Sequence, residues 1–324
     1  DLTQLIASEN RLKIDIIEFD KCLNEQKNRS KIDAVKDYGD WIVLKQDDVQ
    51  EFVGYDHSSA KIIISKYRSL VVKGKTKFQL IFNLTPFYPE GGGQVGDTGF
   101  IEDNQGKITI MDTRKENGVI VHYVEELPKN LKSSFQAQVD LGRRTKISKN
   151  HSATHLLHHA LRDVLGTHVE QKGSLVNENY LRFDFSHFSK LTNKELTLIE
   201  QKVNIQIREA NSLIEERNIP MELAKKKGAI MLFGEKYGDS VRVIQFGNSI
   251  ELCGGIHVSN SANIGNFKIS SESSISSGIR RIEALSDDKA DEIINNKLIA
   301  YQSISELLKH PQDLFSAVEL LQSR

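Results

Sequence analysis

The stretch Ser148-Lys149-Asn150-His151-Ser152-Ala153-Thr154-His155-Leu156-Leu157-His158-His159-Ala160-Leu161-Arg162-Asp163-Val164-Leu165-Gly166 marks a change of period in the chain. Ser148 or Asn150 offers a capping side chain and Gly166 a stop, so a helix is predicted from there through His151 to about Leu165. Working outward, both sides read as strands. Upstream, from about Trp41 to Val139, the period is two, with β-rich runs at Ile62-Ile63-Ile64, Phe78-Gln79-Leu80-Ile81-Phe82, Ile108-Thr109-Ile110 and Val119-Ile120-Val121-His122-Tyr123-Val124. Asn104-Gln105-Gly106 and Glu116-Asn117-Gly118 are turn signals between runs, and a small antiparallel β-barrel is the economical reading. Downstream come strand-like Gly173-Ser174-Leu175-Val176 and Tyr180-Leu181-Arg182-Phe183-Asp184-Phe185, the second placing Leu181, Phe183 and Phe185 on one face. A helix from about Asn193 to Glu216, closed by Pro220, precedes a helix at Met221 to Phe233 and strands at Val241 to Phe246 and Phe267 to Ile269. Ser270 to Ser277 reads as a loop or short strand. Helices and strands do not alternate strictly, so the predicted class is α+β rather than a doubly wound sheet.

Size and composition bound the function classes. At 324 residues the chain exceeds the usual domain and is expected to hold two or three. Apolar residues at 39% and charged residues at 27% suit a globular protein and exclude long disorder or a collagen-like repeat. No run approaches the roughly 20 apolar residues of a membrane helix, which excludes such a span and makes membrane contact unexpected. Forty-three basic and 44 acidic side chains give a net charge of −1, so nucleic-acid contact must rest on local basic patches. Cys22 and Cys253 are the only cysteines, which excludes a disulfide scaffold and suits a reducing, cytoplasmic compartment.

Both ends read as helical. Leu2 to about Asp37 carries Leu2, Leu5, Ile6, Ile16, Ile17, Phe19 and Leu23, then a charged run from Lys27 to Lys31 read as a solvated face. Asp287 to Arg324 has Ile293, Ile294, Leu298, Ile304, Leu307 and Leu308 near helical spacing, interrupted by Pro311. With no initiator Met and no targeting pattern, the start reads as that of an excised segment.

His151 and His155, four apart on the predicted helix, present both imidazoles on one face a turn apart. Cys253-Gly254-Gly255-Ile256-His257 adds a thiol and a third imidazole at the same spacing, with glycines that let a tight loop turn both side chains inward. Cys with three His is a set that zinc accepts in tetrahedral geometry, whereas magnesium and calcium prefer oxygen. The plainer reading packs both histidines in the helix and treats Cys253 as a small buried side chain. His158, His159, His168 and His187 have no partner at matching spacing and read as surface or packing residues.

At these residues the sequence resembles the editing region of the alanyl-tRNA synthetase family. The resemblance is carried by Asn150-His151-Ser152-Ala153-Thr154-His155-Leu156-Leu157-His158, by Gln171-Lys172-Gly173-Ser174 and by Cys253-Gly254-Gly255-Ile256-His257-Val258. Thr85-Pro86-Phe87-Tyr88-Pro89-Glu90-Gly91-Gly92-Gly93-Gln94-Val95-Gly96-Asp97-Thr98-Gly99 is similar to the family's glycine-rich barrel segment, and Gly278-Ile279-Arg280-Arg281-Ile282-Glu283-Ala284 to the end of its editing core. The likeness implies four regions: a helical linker from the tRNA-recognition region over 1–40, a β-barrel subdomain with the glycine-rich motif over 41–140, an editing core with a zinc site over 141–285, and the start of a helical C-terminal region over 286–324.

It also implies an aminoacyl-tRNA hydrolase acting on tRNA(Ala) mischarged with serine or glycine. A pocket made for alanine rejects serine poorly, because one hydroxyl or methylene changes binding by only about 1 to 3 kcal/mol, and a second hydrolytic site restores selectivity. The family's full enzyme also has an ATP-dependent aminoacylation domain, which no part of this chain resembles. The implied zinc ligands are His151, His155, Cys253 and His257, a closed set that shapes the pocket and orients the aminoacyl end of tRNA. Thr154 is the expected partner of the substrate or attacking water, and Gln171 of the amino-acid or ribose end; helix packing and an exposed loop are their plainer roles. Gly91, Gly92, Gly93 and Gln94 are expected near the acceptor end; the run lacks the Lys-Ser/Thr ending of a phosphate loop, and its plainer role is a turn. Arg143, Arg144, Lys146, Lys149, Lys225 to Lys227, Arg280 and Arg281 are basic positions suited to phosphates or, more plainly, to solvent.

One position departs from the family, which usually has Thr where this chain has Ile256; metal binding should survive while serine discrimination changes. Competing readings are a threonyl-type editing module, a freestanding editing protein, and a zinc-stabilised tRNA-binding module without hydrolytic activity.

Overall fold

The structure, a computed structural model, describes residues 37–46, 50–72, 74–231 and 238–323, together with Glu18 and Lys21. Glu18 and Lys21 are helical and form an exposed ion pair; the rest of the expected N-terminal helix lies outside the described residues up to Asp37, which instead opens a short strand, Asp37–Tyr38. The fold is mixed α+β with antiparallel sheets, as read from the sequence.

Among the described residues the β-rich half holds a short parallel pair, Glu51–Phe52 with Leu84–Thr85, and one nine-stranded sheet. Its path runs Gly106–Ile110, Gly99–Asp103, Ser134–Val139, Ser59–Val72, Lys75–Phe82, Val119–Val124 and Asp112–Glu116, every neighbour antiparallel, with Asp37–Tyr38 and Ile42–Val43 also on Ser59–Val72. Both turn signals join hairpins. Asn117 and Gly118 take φ of 49° and 84°, the left-handed pair that matches the strands' own twist. Phe82, Phe87, Ile101, Ile110 and Phe135 are buried along the inner face.

The expected small barrel is corrected to an open path. Its two end strands are halves of one run separated only by Met111. At that bend the chain leaves Gly99–Asp103 and takes Val119–Val124 as partner, so the ends of the path do not pair with each other and no hydrogen-bonded ring closes among the described residues.

The second half is built around helix α1, Leu141–Leu165. It begins earlier than Ser148, because Asp140 caps it by accepting from the Arg143 amide, and it ends at Gly166 as expected. A four-stranded sheet in the order Gln171–Val176, Leu181–Ser186, Ile279–Ser286, Phe267–Ser276 packs on it through Phe183, Phe185 and Ile282. The serine-rich stretch is thus mostly strand. Helix α2, Asn193–Arg208, starts in a capping box between Thr192 and Glu195 and stops short of Glu216, since Ala210 is left-handed and Ile214–Pro220 is a strand. That strand pairs with Ser240–Phe246, which pairs with Ser249–Leu252. Helix α3 spans only Met221–Lys226, with Gly228 at φ 75° just beyond, and 232–237 lie outside the described residues. Helices α4, Asp287–Leu307, and α5, Leu314–Gln322, flank Pro311.

The glycine-rich run ties the halves together. Val176 N donates to Gly93 O at 2.7 Å and Val95 N to Val176 O at 3.1 Å, so residues 93–95 lie along the edge strand of the second half. A Cβ on Gly93, whose φ is 79°, would come within 2.7 Å of Ser174 Cβ. Only glycine permits this approach without displacing the strand.

Candidate metal centre

Helix α1 has an unusual interior. Asn150, His151, Ser152, Thr154, His155 and His158 are all buried, an expensive arrangement unless each polar group has a partner. Asn150 is bonded to Asn177 O and Ser286, Thr154 to Asn150 O and His151 to Gln94, while the hairpin ending at Leu252 delivers Cys253 and His257 to the same face. His151, His155, Cys253 and His257 each contribute a donor atom, all within 4.8 Å of one another. His151 Nε2 and His257 Nε2 stand 3.4 and 3.3 Å from Cys253 Sγ. A tetrahedral zinc with bonds of about 2.3 Å to sulfur and 2.0 to 2.1 Å to nitrogen separates those donors by about 3.5 Å, so these edges fit.

The atoms around the donors strengthen the fit. Gln94 Oε1 sits 2.8 Å from His151 Nδ1 and also accepts from Ile256 N at 2.9 Å. An amide oxygen only accepts, so His151 carries its proton on Nδ1 and leaves the Nε2 lone pair facing Cys253. Ser152 Oγ accepts from Val258 N and lies 3.1 Å from His257 Nδ1, turning Nε2 of that ring toward the same point. His155 Nδ1, buried without a hydrogen bond, faces Glu251 Oε2 at 3.8 Å. Burial first, then the neighbouring imidazoles, push His151 and His257 well below the ordinary histidine value; burial likewise lowers His155. All three are neutral at physiological pH, the form that ligates.

The loop itself is clamped from outside. Arg242 donates to Cys253 O at 2.9 Å and Gly255 O at 2.6 Å, Tyr55 OH donates to Gly254 O at 2.6 Å, and Gly255 N points to Cys253 Sγ at 3.3 Å. A Cβ on Gly255 would fall 2.0 Å from His151 Cε1, so this glycine is needed for the two motifs to meet.

Above the donors is a cavity of about 260 Å³ lined by Gly92, His151, Thr154, His155, Gln171, Ser174, Arg242, Glu251 and Cys253, among others. Thr154 and Gln171 thus share one space with His151, His155 and Cys253, while His257 lies outside the lining; Thr154 Oγ1 already donates to Asn150 O at 2.8 Å. Ile256 is held by its amide on Gln94 and is not among the lining residues. Gln94 is fully buried as a brace rather than a surface contact, while Gly91 and Gly92 line a neighbouring cavity.

The basic residues are largely engaged within the chain. Arg144 is buried, paired with Asp97 and bonded to Gly54 O and Pro86 O, which removes it from any phosphate-binding set. Arg143 reaches Gly96 O and Glu178, Arg280 pairs with Glu272, and Arg281 makes a two-pronged pair with Asp184 at 2.6 and 2.8 Å. Lys149 and Lys146 face Asp287 and Asp288. His158, read as surface or packing, is buried and bonded to Glu251 Oε1 at 3.0 Å; exposed His168 and half-buried His187 bond each other. Sequence reasoning missed Ser152, Glu251, Arg242 and Tyr55. Ser152 and Glu251 lie beside ligand positions in the chain, a usable signal; Tyr55 and Arg242 carry none.

A family model described as tRNA synthetases class II (A) matches residues 1–143, and one described as the threonyl and alanyl tRNA synthetase second additional domain matches residues 241–283. The chain is 51% identical over 327 residues to an alanine–tRNA ligase of Cytophaga hutchinsonii, covering 100% of the chain and 37% of that protein. Identity to the alanine–tRNA ligases of Christiangramia forsetii and Flavobacterium psychrophilum is 50% and 48%, each over 99% of the chain and 37% of the relative. The chain belongs to the alanine–tRNA ligase family. It spans little more than a third of the length of these relatives. The second family model is shared by threonyl and alanyl enzymes, and near-complete coverage by alanine–tRNA ligases favours alanine over the threonyl-type reading. It contains Cys253 and His257, while His151 and His155 lie outside both matched stretches. No described helix is long and apolar enough to cross a membrane.

Proposed function

We propose that the cavity above the His/Cys cluster is an editing site that hydrolyses the ester of tRNA(Ala) mischarged with serine or glycine. The parent enzyme, on this reading, joins alanine to tRNA(Ala) with ATP in parts beyond this chain. The observation that carries the reading is a cavity beside the glycine-rich run that Thr154 and Gln171 share with His151, His155 and Cys253, three members of the four-donor cluster that His257 completes. Residues 41–140 would form the β subdomain, 141–285 the editing core, and the flanking helical segments the links to the rest of the parent.

The donor set fits zinc, held by His151, His155, Cys253 and His257. When bound, zinc supplies positive charge at the cavity floor and fixes its shape, four protein ligands being the pattern of a closed site. The side chains do the rest. Gln171 offers both a donor and an acceptor to the ribose or the amino acid, and Thr154 Oγ1 retains lone pairs for the ester's ammonium group or the attacking water. Gly91 and Gly92 allow the acceptor end to approach the backbone. The buried imidazoles are neutral and so are poor proton donors, and an activated ester makes a strong general base less necessary.

Ser-tRNA(Ala) and Gly-tRNA(Ala) should be deacylated by the zinc-loaded protein and Ala-tRNA(Ala) spared, with no ATP-dependent alanylation. Binding of tRNA without hydrolysis would favour the zinc-stabilised binding module. Chelation separates the metal's roles: loss of fold marks a structural ion, loss of activity in a folded protein a local one.

A further inference from the structure

A second cavity, of about 430 Å³, lies on the other side of the wall formed by Gly92 and Gly254, which line both spaces. It differs from the first in chemistry. Phe52, Tyr55 and Tyr88 line it, with Phe52 edge-on to Tyr55 at 4.9 Å and to Tyr88 at 6.1 Å between ring centroids. Tyr88 is buried and its hydroxyl donates to Gly91 O at 3.0 Å; Gln50 has both ends of its amide bonded to Ile120, at 2.9 and 2.6 Å. Tyr88 and Gln50 thus have their polar groups engaged within the chain, so among these residues the rings are what faces a ligand, while Glu90, Lys115 and glycine backbone make the rest of the lining polar. The charges at the mouth, Glu90 and Lys115, are opposite in sign.

Tyr55 is fixed in this wall. Arg242 and Arg217 lie 4.0 and 4.9 Å from its ring centroid, and its hydroxyl holds the Gly254 carbonyl, the point at which the ligand loop borders the cavity. Arg217 is in turn anchored on Asp56 at 2.6 and 2.9 Å. A pre-set aromatic surface with its polar atoms already satisfied suits a flat, sequence-tolerant partner, and its volume suits a ligand of nucleotide size.

We infer that this aromatic cavity receives the terminal nucleobase of the single-stranded acceptor end, while the esterified ribose of the same nucleotide reaches the metal-centre cavity past Gly92 and Gly254. The inference rests on the editing reading for the identity of the strand. Stacking, not charge, supplies the contact, since the mouth carries no net excess of cations.

The test measures binding rather than hydrolysis, so it can fail independently of the editing reading. An uncharged minihelix of the tRNA(Ala) acceptor stem is compared with one abasic at its last position, by fluorescence anisotropy at two salt concentrations. The intact minihelix should bind roughly tenfold more tightly, the scale of one base–aromatic contact, and the ratio should not change with salt. Equal affinities would overturn the proposal. Phe52→Leu keeps apolar volume and removes the aromatic face; it should abolish the ratio while leaving the abasic minihelix unaffected. A ratio that survives in Phe52→Leu would place the base elsewhere and refute the assignment. A base-dependent ratio in a protein that does not hydrolyse mischarged tRNA would sink the editing reading and leave the subsite standing.

Discussion

Replacing Gln94 with Leu should weaken the metal centre without touching a ligand. Gln94 Oε1 is a shared acceptor for His151 Nδ1 and Ile256 N, and it couples the helix ligand to the loop ligands across the two halves of the chain. Leucine fills nearly the same space and takes away the acceptor. Two buried N–H groups then lose their partner, at about 1 to 3 kcal/mol each, so the metal-free protein should lose about 2 to 6 kcal/mol. The metal effect is separate. Without Gln94 nothing fixes the His151 proton on Nδ1, and loss of such an outer partner typically lowers metal affinity about 10- to 100-fold. Competition with a chromogenic chelator measures the affinity and urea unfolding of the chelated protein the stability. Unchanged zinc affinity in a folded Gln94→Leu protein would refute the claim that this amide sets the ligand's tautomer. Gln94→Glu keeps an acceptor and should restore much of the affinity.

Other outcomes follow from the same geometry. Gly255→Ala puts a methyl 2.0 Å from His151 Cε1, so zinc binding should fall by at least tenfold while circular dichroism stays native; normal zinc stoichiometry and affinity would contradict the close approach. Arg144→Met leaves Asp97 buried and unpaired, which should cost about 3 to 5 kcal/mol in urea unfolding, whereas a phosphate-contacting arginine would show weaker tRNA binding at unchanged stability. In the metal-free protein, His151, His155, His257 and His122 are held below their unfolded value of 6.5, His122 pushed down to about 3 mainly by burial. Between folded and unfolded values the unfolded chain binds more protons, so stability is lost as pH falls below about 6.5, at up to about 1.4 kcal/mol per pH unit for each group. A urea midpoint that stays flat from pH 7 to 5 would show these rings to be solvated.

The four-residue cluster was legible because its spacing is local: His151 and His155 share a helix face whatever that helix packs against, and the pair Cys253 and His257 needs only a glycine-bearing turn between its members. The hairpins at Asn104 and Asn117 were legible for the same reason. What escaped was long-range. The start of α1 was hidden because Arg143, Arg144 and Lys146 look solvated in sequence, while Arg144 is buried on Asp97, a residue from the other half of the chain. The end of α2 was misplaced because Ile214 to Pro220 continues a pattern of apolar and charged residues that a helix would accept, and only pairing with Ser240–Phe246 makes it a strand. The open end of the sheet path depended on a bend at Met111 that no turn residue announces.

The same distinction explains where function should be sought in this fold. Each member of the cluster is fixed by a short-range motif, yet most are oriented by a residue far away in sequence: Gln94 for His151, Glu251 for His155, Ser152 for His257 and Tyr55, together with the nearer Arg242, for the Cys253 loop. Most of these partners sit on the seam between the β-rich half and the helical half. A change that loosens the seam, such as removal of Arg217 from Asp56, therefore acts on Tyr55, through Tyr55 on the Gly254 carbonyl, and so on Cys253, without entering either cavity. Metal affinity in Arg217→Ala should drop by a smaller factor than in Gln94→Leu, because the clamp it weakens is one step further from a donor atom. An equal or larger drop would mean that the halves are held together chiefly by this ion pair, and that the direct braces on the ligands are secondary.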